Sequence, residues 1–425
     1  MLKSLSVRVL IALVAGLALG AAVAAYGGAG LKGFVEGVES IGTLWLNGLR
    51  MTVVPLLFSV LVVGIASVAD AAATGKLAVK ALLWFLVLLL VGCAWTIAFG
   101  YGFYGLFPVS EAGAAALTAG APPPPPEVQQ TPSFGEFIKA LAPTNPIRSA
   151  ADDAILPLVF FAGFFAFAVT RLPDARRAAL TEFFDTLSQA MVQIVRWVLW
   201  AAPVGVFALT LGVGLRAGVG AVGIIGHYIV AVVLAQLGIT LFAYLLAVAV
   251  ARIPLGQWAR ALAPVQVTAF ATQSSIACLP AMIEQSRDAL KVPDRVTGLV
   301  LPLAVSVFKM TSPVANIGVA IFVANVYGIE PQPMQWLAAV IIALAVSVAS
   351  VGLPGQVSFF MSTGPICLAL GLPLELLPIL IAVEVIPDIF RTLGNVTGDM
   401  AVTAILAKDA EPDPAVDADV KPALG

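Results

Sequence analysis

A chain of 425 residues that is 60% hydrophobic and only 11% charged cannot hide its apolar surface in a soluble core, so most of it is predicted to lie in lipid. The formal charge of −2 gives no sign of a nucleic-acid partner. Cys93, Cys278 and Cys367 stand apart in apolar surroundings, which excludes a disulfide framework, and the single histidine, His227, excludes a histidine-built metal cluster.

Residues 7–26 follow Lys3 and Arg8 in the manner of a secretory signal, but the run is too long for a signal core and more apolar segments follow. It is predicted to be the first transmembrane helix. Residues 41–68, with Arg50 and Pro55, and residues 77–107 are the second and third spans. Residues 108–153 read as a polar loop, with prolines 122–126 forming an extended polyproline spacer. The fourth span covers 154–170 and is followed at once by Arg171, Arg176 and Arg177. Residues 178–196 are an amphipathic lead-in to a fifth span ending near Gly214, and the sixth runs over 220–250.

Basic residues set the orientation. Lys3, Arg8, Lys76, Lys80, Arg171, Arg176, Arg177, Arg252 and Arg260 fall on one side, against Lys32, Lys139, Arg148 and Arg216 on the other. Both termini are therefore expected to be cytoplasmic, with 408–425 a disordered tail by composition.

Beyond Arg260 the pattern changes. Residues 263–283 are interrupted by Thr272, Gln273, Ser274, Ser275 and Pro280, and residues 338–370 by Ser347, Ser350 and Gly352-Leu353-Pro354-Gly355. Each predicts a helix, an unwound tip and a returning helix, which is tolerated at membrane depth only where it lines a cavity or is covered by protein. Each is followed by a span, 296–326 and 376–406, an arrangement that suggests an inverted repeat with a midplane site. In the first of these spans Lys309 stands far from either end, and Pro313 removes the bond to its carbonyl. A buried lysine needs a counter-charge, and the acids at similar depth are Glu384, Asp388 and Asp399. In the last span Glu384, Asp388, Arg391, Thr392, Asn395 and Asp399 follow at helical spacing and share one stripe. Pro387 also frees the carbonyl of Val383. That stripe is built to hold something polar.

In this order, Arg50-Met51-Thr52-Val53-Val54-Pro55-Leu56, Pro143-Thr144-Asn145-Pro146, Ala202-Pro203-Val204-Gly205-Val206-Phe207, Thr272 to Pro280, Gly352 to Gly355, and Asp388-x-x-Arg391-Thr392-x-x-Asn395-x-x-x-Asp399 resemble the dicarboxylate/amino acid:cation symporter family over nearly the whole chain. The resemblance implies an all-α membrane transporter of eight transmembrane helices plus two re-entrant hairpins, an inverted-repeat, elevator-type homotrimer of the bacterial inner membrane. It implies scaffold helices in 1–76 and 154–219, an extracellular loop at 108–153, and a moving transport domain from 77–107, 220–252 and 256–407. It implies no organic cofactor and a sodium ion or proton as coupling ion.

The chemistry of the stripe agrees. Arg391 can grip a carboxylate with two bonds. Asp388 can take an ammonium, Asn395 and Thr392 add an amide and a hydroxyl, and backbone N–H groups near Ser274, Ser275, Gly352, Pro354 and Gly355 suit an anion. An acidic amino acid fits this set, and a C4-dicarboxylate is the runner-up although it would leave Asp388 facing like charge. A neutral or larger amino acid stays open, because Gln273 and Ile276-Ala277-Cys278 depart from relatives at the first tip and the second reads Gln356-Val357-Ser358. Lys309, Ser312, Glu384, Asn395 and Asp399 are the candidate coupling residues. Where the family carries Asn-Met-Asp-Gly-Thr and binds sodium, this chain reads Phe308-Lys309-Met310-Thr311-Ser312, and the facing third helix offers Leu88, Gly92 and Cys93. At least one sodium site is expected to be lost, with Lys309 pairing with Asp399 or Glu384 in place of an ion. At ~4 Å and an effective dielectric near 20 such a pair gains roughly 4 kcal/mol. Glu384 or Asp388 could instead carry a coupling proton. An intramembrane aspartyl protease using Asp388 and Asp399 is disfavoured, since Arg391 between them keeps both ionised, so the chain is not expected to be an enzyme. A non-transporting amino-acid sensor lacks a soluble signalling domain.

Overall fold

Apolar runs with few breakers become long helices. The computed structural model describes residues 5–118, 134–217, 220–349 and 355–408, and every regular element among them is helical. The first three helices are α1 (Leu5–Tyr26), α2 (Ala29–Ala73) and α3 (Lys76–Leu106). α2 is longer at both ends than the apolar run 41–68. Its polar N-terminal turns are held by Glu39, whose carboxylate receives both Nη atoms of Arg216 at 2.7 and 2.8 Å. Pro55 does not break α2.

The expected loop 108–153 is corrected: α4 (Glu111–Thr118), α5 (Phe134–Leu141) and α6 (Pro146–Ala151) lie within it. α6 forms because Asn145 caps it, accepting from the N–H groups of Ile147 and Arg148 at 3.0 and 3.1 Å, with Pro146 in its first turn. Prolines 122–126 lie outside the described residues. α7 (Ile155–Thr170) follows, then α8 (Asp174–Trp200) and α9 (Ala202–Ala217), which meet at a 57° bend. Pro203 supplies the cause, since it cannot donate to the carbonyl of Leu199.

α10 (Gly220–Ala249) precedes α11 (Leu255–Thr272) and α12 (Ser275–Asp288). These two fold back on each other: Gln257 at the start of α11 donates to the carbonyl of Ala289, just past the end of α12, at 2.9 Å. The rest comprises α13 (Asp294–Val307), α14 (Ser312–Tyr327), α15 (Pro333–Ala349), α16 (Gly355–Ala369), α17 (Leu377–Val383) and α18 (Val385–Lys408), with α15 packed against α16. Among the described residues five helical segments, α13–α14 counting as one, are long and apolar enough to cross a membrane, or six if the bent pair α8–α9 is one span.

Small residues let α1 and α9 approach closely. A methyl placed on Gly20 would lie 2.2 Å from the carbonyl oxygen of Leu211, and one on Gly214 would lie 2.4 Å from that of Leu17. These are backbone atoms with no rotamer to yield. Gly20→Val should therefore cost about 1–3 kcal/mol, from overpacking. Thermal melting in detergent reads this, and an unchanged melting temperature would show that the helices separate freely.

Two helices sit at the centre. α14 is buried on every face from Ser312 to Ala324, and α18 from Gly394 to Leu406. α10 runs parallel to α18: Tyr228 meets Glu384, and Thr240 meets Gly394 ten residues on. The polar stripe of α18 is thus enclosed by protein.

Candidate functional site

Three interruptions of helix build the site. α17 stops at Val383, four residues before Pro387, and α18 restarts with Asp388 in its first turn. α13 stops at Val307, leaving Phe308 extended (φ −122°, ψ 121°). The Lys309 carbonyl, denied a partner by Pro313, accepts from the N–H of Ser312 at 2.9 Å instead. α11 ends in a left-handed Gln273 (φ 50°), and the hydroxyl of Ser274 caps α12 by accepting from Ala277 N–H at 3.3 Å.

All three border one cavity of about 370 Å³. Asp388, Arg391, Thr392 and Asn395 of α18 line one wall, with Lys309 and Ser312 from the break beside them. Residues 272–276, including Ser274 and Ser275 at the N-terminus of α12, form the facing wall, and Ser358 of α16 also contributes. Gly355 opens α16, whereas Gly352 and Pro354 lie outside the described residues.

Arg391 is the electrostatic centre. Its Nη2 donates to Glu384 and its Nη1 to Asp388 Oδ1 at 3.4 Å, while Tyr228 donates its hydroxyl to the other Glu384 oxygen at 3.1 Å. The guanidinium is held by two carboxylates, yet its buried Nε has no partner among the described residues. A buried donor left without an acceptor is costly. Asn395 is fixed from the break: its Oδ1 accepts the Thr311 N–H at 3.0 Å and the Thr311 hydroxyl at 2.8 Å. With that oxygen engaged, Asn395 can offer the cavity only its amide donors. Thr392 donates to the Asp388 carbonyl at 3.0 Å, so its oxygen stays available as an acceptor.

Tyr228 and Thr311 were not identified from the sequence. Tyr228 lies 156 residues from Glu384 and Thr311 lies 84 from Asn395, so no local spacing links them. Only the broken helix at 308–311 hinted that Thr311 faces another chain segment.

The chain matches the profile of the sodium:dicarboxylate symporter family over residues 5–409. It belongs to that family. It is 30% identical over 410 residues to the proton/glutamate-aspartate symporter of Escherichia coli (strain K12), covering 95% of this chain and 92% of the relative. It is 24% identical to a C4-dicarboxylate transport protein of Bacillus subtilis (strain 168), over 96% of this chain and 93% of the relative. It is 28% identical to the human neutral amino acid transporter A, over 86% of this chain and 74% of the relative. A member of the sodium:dicarboxylate symporter family is a membrane transporter, which accords with the apolar spans.

In this member of the sodium:dicarboxylate symporter family, the break between α13 and α14 presents apolar side chains. Phe308 stacks flat on Phe85, ring centroids 4.4 Å apart, and Met310 presses on Gly398 so closely that a methyl there would come within 2.9 Å of its sulfur. Neither side chain offers the oxygen ligands a hard cation requires. Asp399 is fully buried, and neither carboxylate oxygen has a hydrogen-bond partner among the described residues. Lys309 lies in electrostatic reach of Asp388 and Asp399, whereas Glu384 is engaged by Arg391 and Tyr228.

Proposed function

We propose that the chain is a secondary active symporter that imports an acidic amino acid, aspartate or glutamate, across the bacterial cytoplasmic membrane with reduced dependence on sodium. The observation that carries the substrate class is the Arg391 guanidinium in a cavity wall that also holds Asp388. A carboxylate of the substrate meets the guanidinium, its ammonium meets Asp388, and its second carboxylate meets the α12 N-terminus at Ser274 and Ser275. Asn395 donates its amide to a substrate oxygen. The E. coli relative named for glutamate and aspartate supports this reading.

Movement would follow the elevator scheme. Helices α1, α2 and α7–α9 would form the fixed scaffold of a homotrimer, and α3 with α10–α18 would carry the cavity across, both termini facing the cytoplasm. The re-entrant hairpins would be α11–α12 and α15–α16, with eight spans around them. Reduced sodium dependence is supported by Phe308 and Met310, with the Lys309 ammonium standing in for a mobile cation near Asp399.

A second reading, a neutral amino acid or C4-dicarboxylate carrier, is favoured by one feature: Arg391 already has Glu384 and Asp388 as partners. Uptake into proteoliposomes separates the two. Aspartate or glutamate should compete with the labelled acidic amino acid at least tenfold more strongly than succinate or serine. Equal competition by serine or succinate would reject the acidic reading.

A further inference from the structure

A second cavity lies away from the substrate site. It measures about 360 Å³ and is bounded by α2, α7 and α15, with a lining that runs from Leu61 to Ala72 on α2 and includes Phe167, Ala345 and Val348. Every lining residue is apolar, glycine included. Along α2 it follows roughly 16 Å of helix, at 1.5 Å per residue. Phe167 is 64% exposed and forms part of its rim. An apolar slot of this length at the surface of a membrane-embedded bundle is shaped for a hydrocarbon tail.

What stands at its end identifies the rest of the ligand. Phe167 is one helical turn from Arg171, the C-cap of α7. At the α2 side, Asp70 sits between the lining residues Ala69 and Ala72, and its Oδ1 receives Arg177 Nη1 at 3.4 Å. Arg177 also approaches Asp174 at 4.0 Å, so this one arginine occupies both nearby acids. Arg171 and Arg176 are exposed, and neither is in an ion pair among the described residues. Two exposed guanidinium groups outside any ion pair among the described residues thus stand near this end of the slot in the chain, Arg171 one turn beyond the rim residue Phe167 and Arg176 next to the Arg177 that reaches α2. Guanidinium is well matched to phosphate, and basic pockets between spanning helices suit anionic headgroups.

We propose that this slot is a binding site for one anionic phospholipid, with an acyl chain lying along Leu61–Ala72 between α2 and α15 and the headgroup phosphate held by Arg171 and Arg176. The site needs only that the chain is embedded in a membrane and does not depend on which substrate the other cavity takes. Ala345 and Val348 lie near the C-terminal end of α15, which packs against α16, the helix that gives Ser358 to the substrate cavity.

Native mass spectrometry of the full chain in detergent, titrated with phosphatidylglycerol and separately with phosphatidylcholine, tests the site. We expect retention of one phosphatidylglycerol per chain at least tenfold more strongly than phosphatidylcholine. Ala69→Phe, which fills the slot, should weaken phosphatidylglycerol retention at least tenfold. Arg171→Gln with Arg176→Gln should erase the preference between the two lipids. Should Ala69→Phe fail to fold, the arginine pair still decides the matter, because both residues are exposed. Equal retention of the two lipids by the unaltered protein, or an undiminished preference in the arginine double variant, overturns the proposal. So does a disulfide formed between two copies through Phe167→Cys, which would make a second copy of the chain the occupant.

Discussion

Replacing Arg391 with glutamine is expected to abolish uptake of acidic amino acids, by at least a hundredfold at subsaturating substrate. Two effects combine. The substrate carboxylate loses its two-bonded anchor. The buried Glu384 loses the partner that balances its charge and is left with the Tyr228 hydroxyl alone. Breaking a buried pair from one side costs about 3–5 kcal/mol, so the single variant should also be less stable. The double variant Glu384→Gln with Arg391→Gln separates the two losses. It removes the charge of Arg391 together with that of its nearest acid, leaving Asp388 within electrostatic reach of Lys309, so it should melt closer to the unaltered protein than Arg391→Gln does while still failing to take up aspartate. Arg391→Lys should fall between, because an ammonium keeps the charge but not the planar fork. Aspartate uptake by the double variant at the unaltered rate would show that Arg391 serves packing and not the substrate.

The sequence made the α18 stripe readable because helical periodicity and the cost of burying charge act together there. Asp388, Arg391, Thr392 and Asn395 do line one cavity. Asp399 shares the helix but stays behind that wall, fully buried toward the break in α13–α14. The three interruptions were also readable, since Pro387, Pro313 and the Gln273-Ser274 pair each disturb a backbone bond or favour a non-helical turn.

What was not readable depended on distant packing. The extension of α2 beyond its apolar run rests on Glu39 meeting Arg216, 177 residues away. The short helices in the 108–153 stretch escaped notice because overall polarity masked the capping signal of Asn145 before Pro146. Tyr228 sits in a largely apolar helix, where an aromatic residue reads as packing, and only the parallel course of α10 and α18 brings its hydroxyl to Glu384.

Lys309→Met should cripple uptake, and added sodium should not rescue it. Asp399 is the reason. Its two oxygens are sealed from solvent without a hydrogen-bond donor, a state a carboxylate sustains only beside a positive charge or a proton. Met310 packs on the adjacent Gly398 and Phe308 on Phe85, and neither side chain brings an oxygen ligand for sodium, so the loss should reach about 3–5 kcal/mol, or more than a hundredfold in uptake. The unaltered protein should by the same logic keep most of its uptake when sodium is replaced by choline. Lys309→Met with Asp399→Asn supplies the control: with both charges gone the fold should recover its melting temperature. If choline eliminates uptake in the unaltered protein, a sodium ion binds elsewhere and is required. If Lys309→Met transports normally, the ammonium reaches water along its own methylene stem, and Asp399 is balanced by another group.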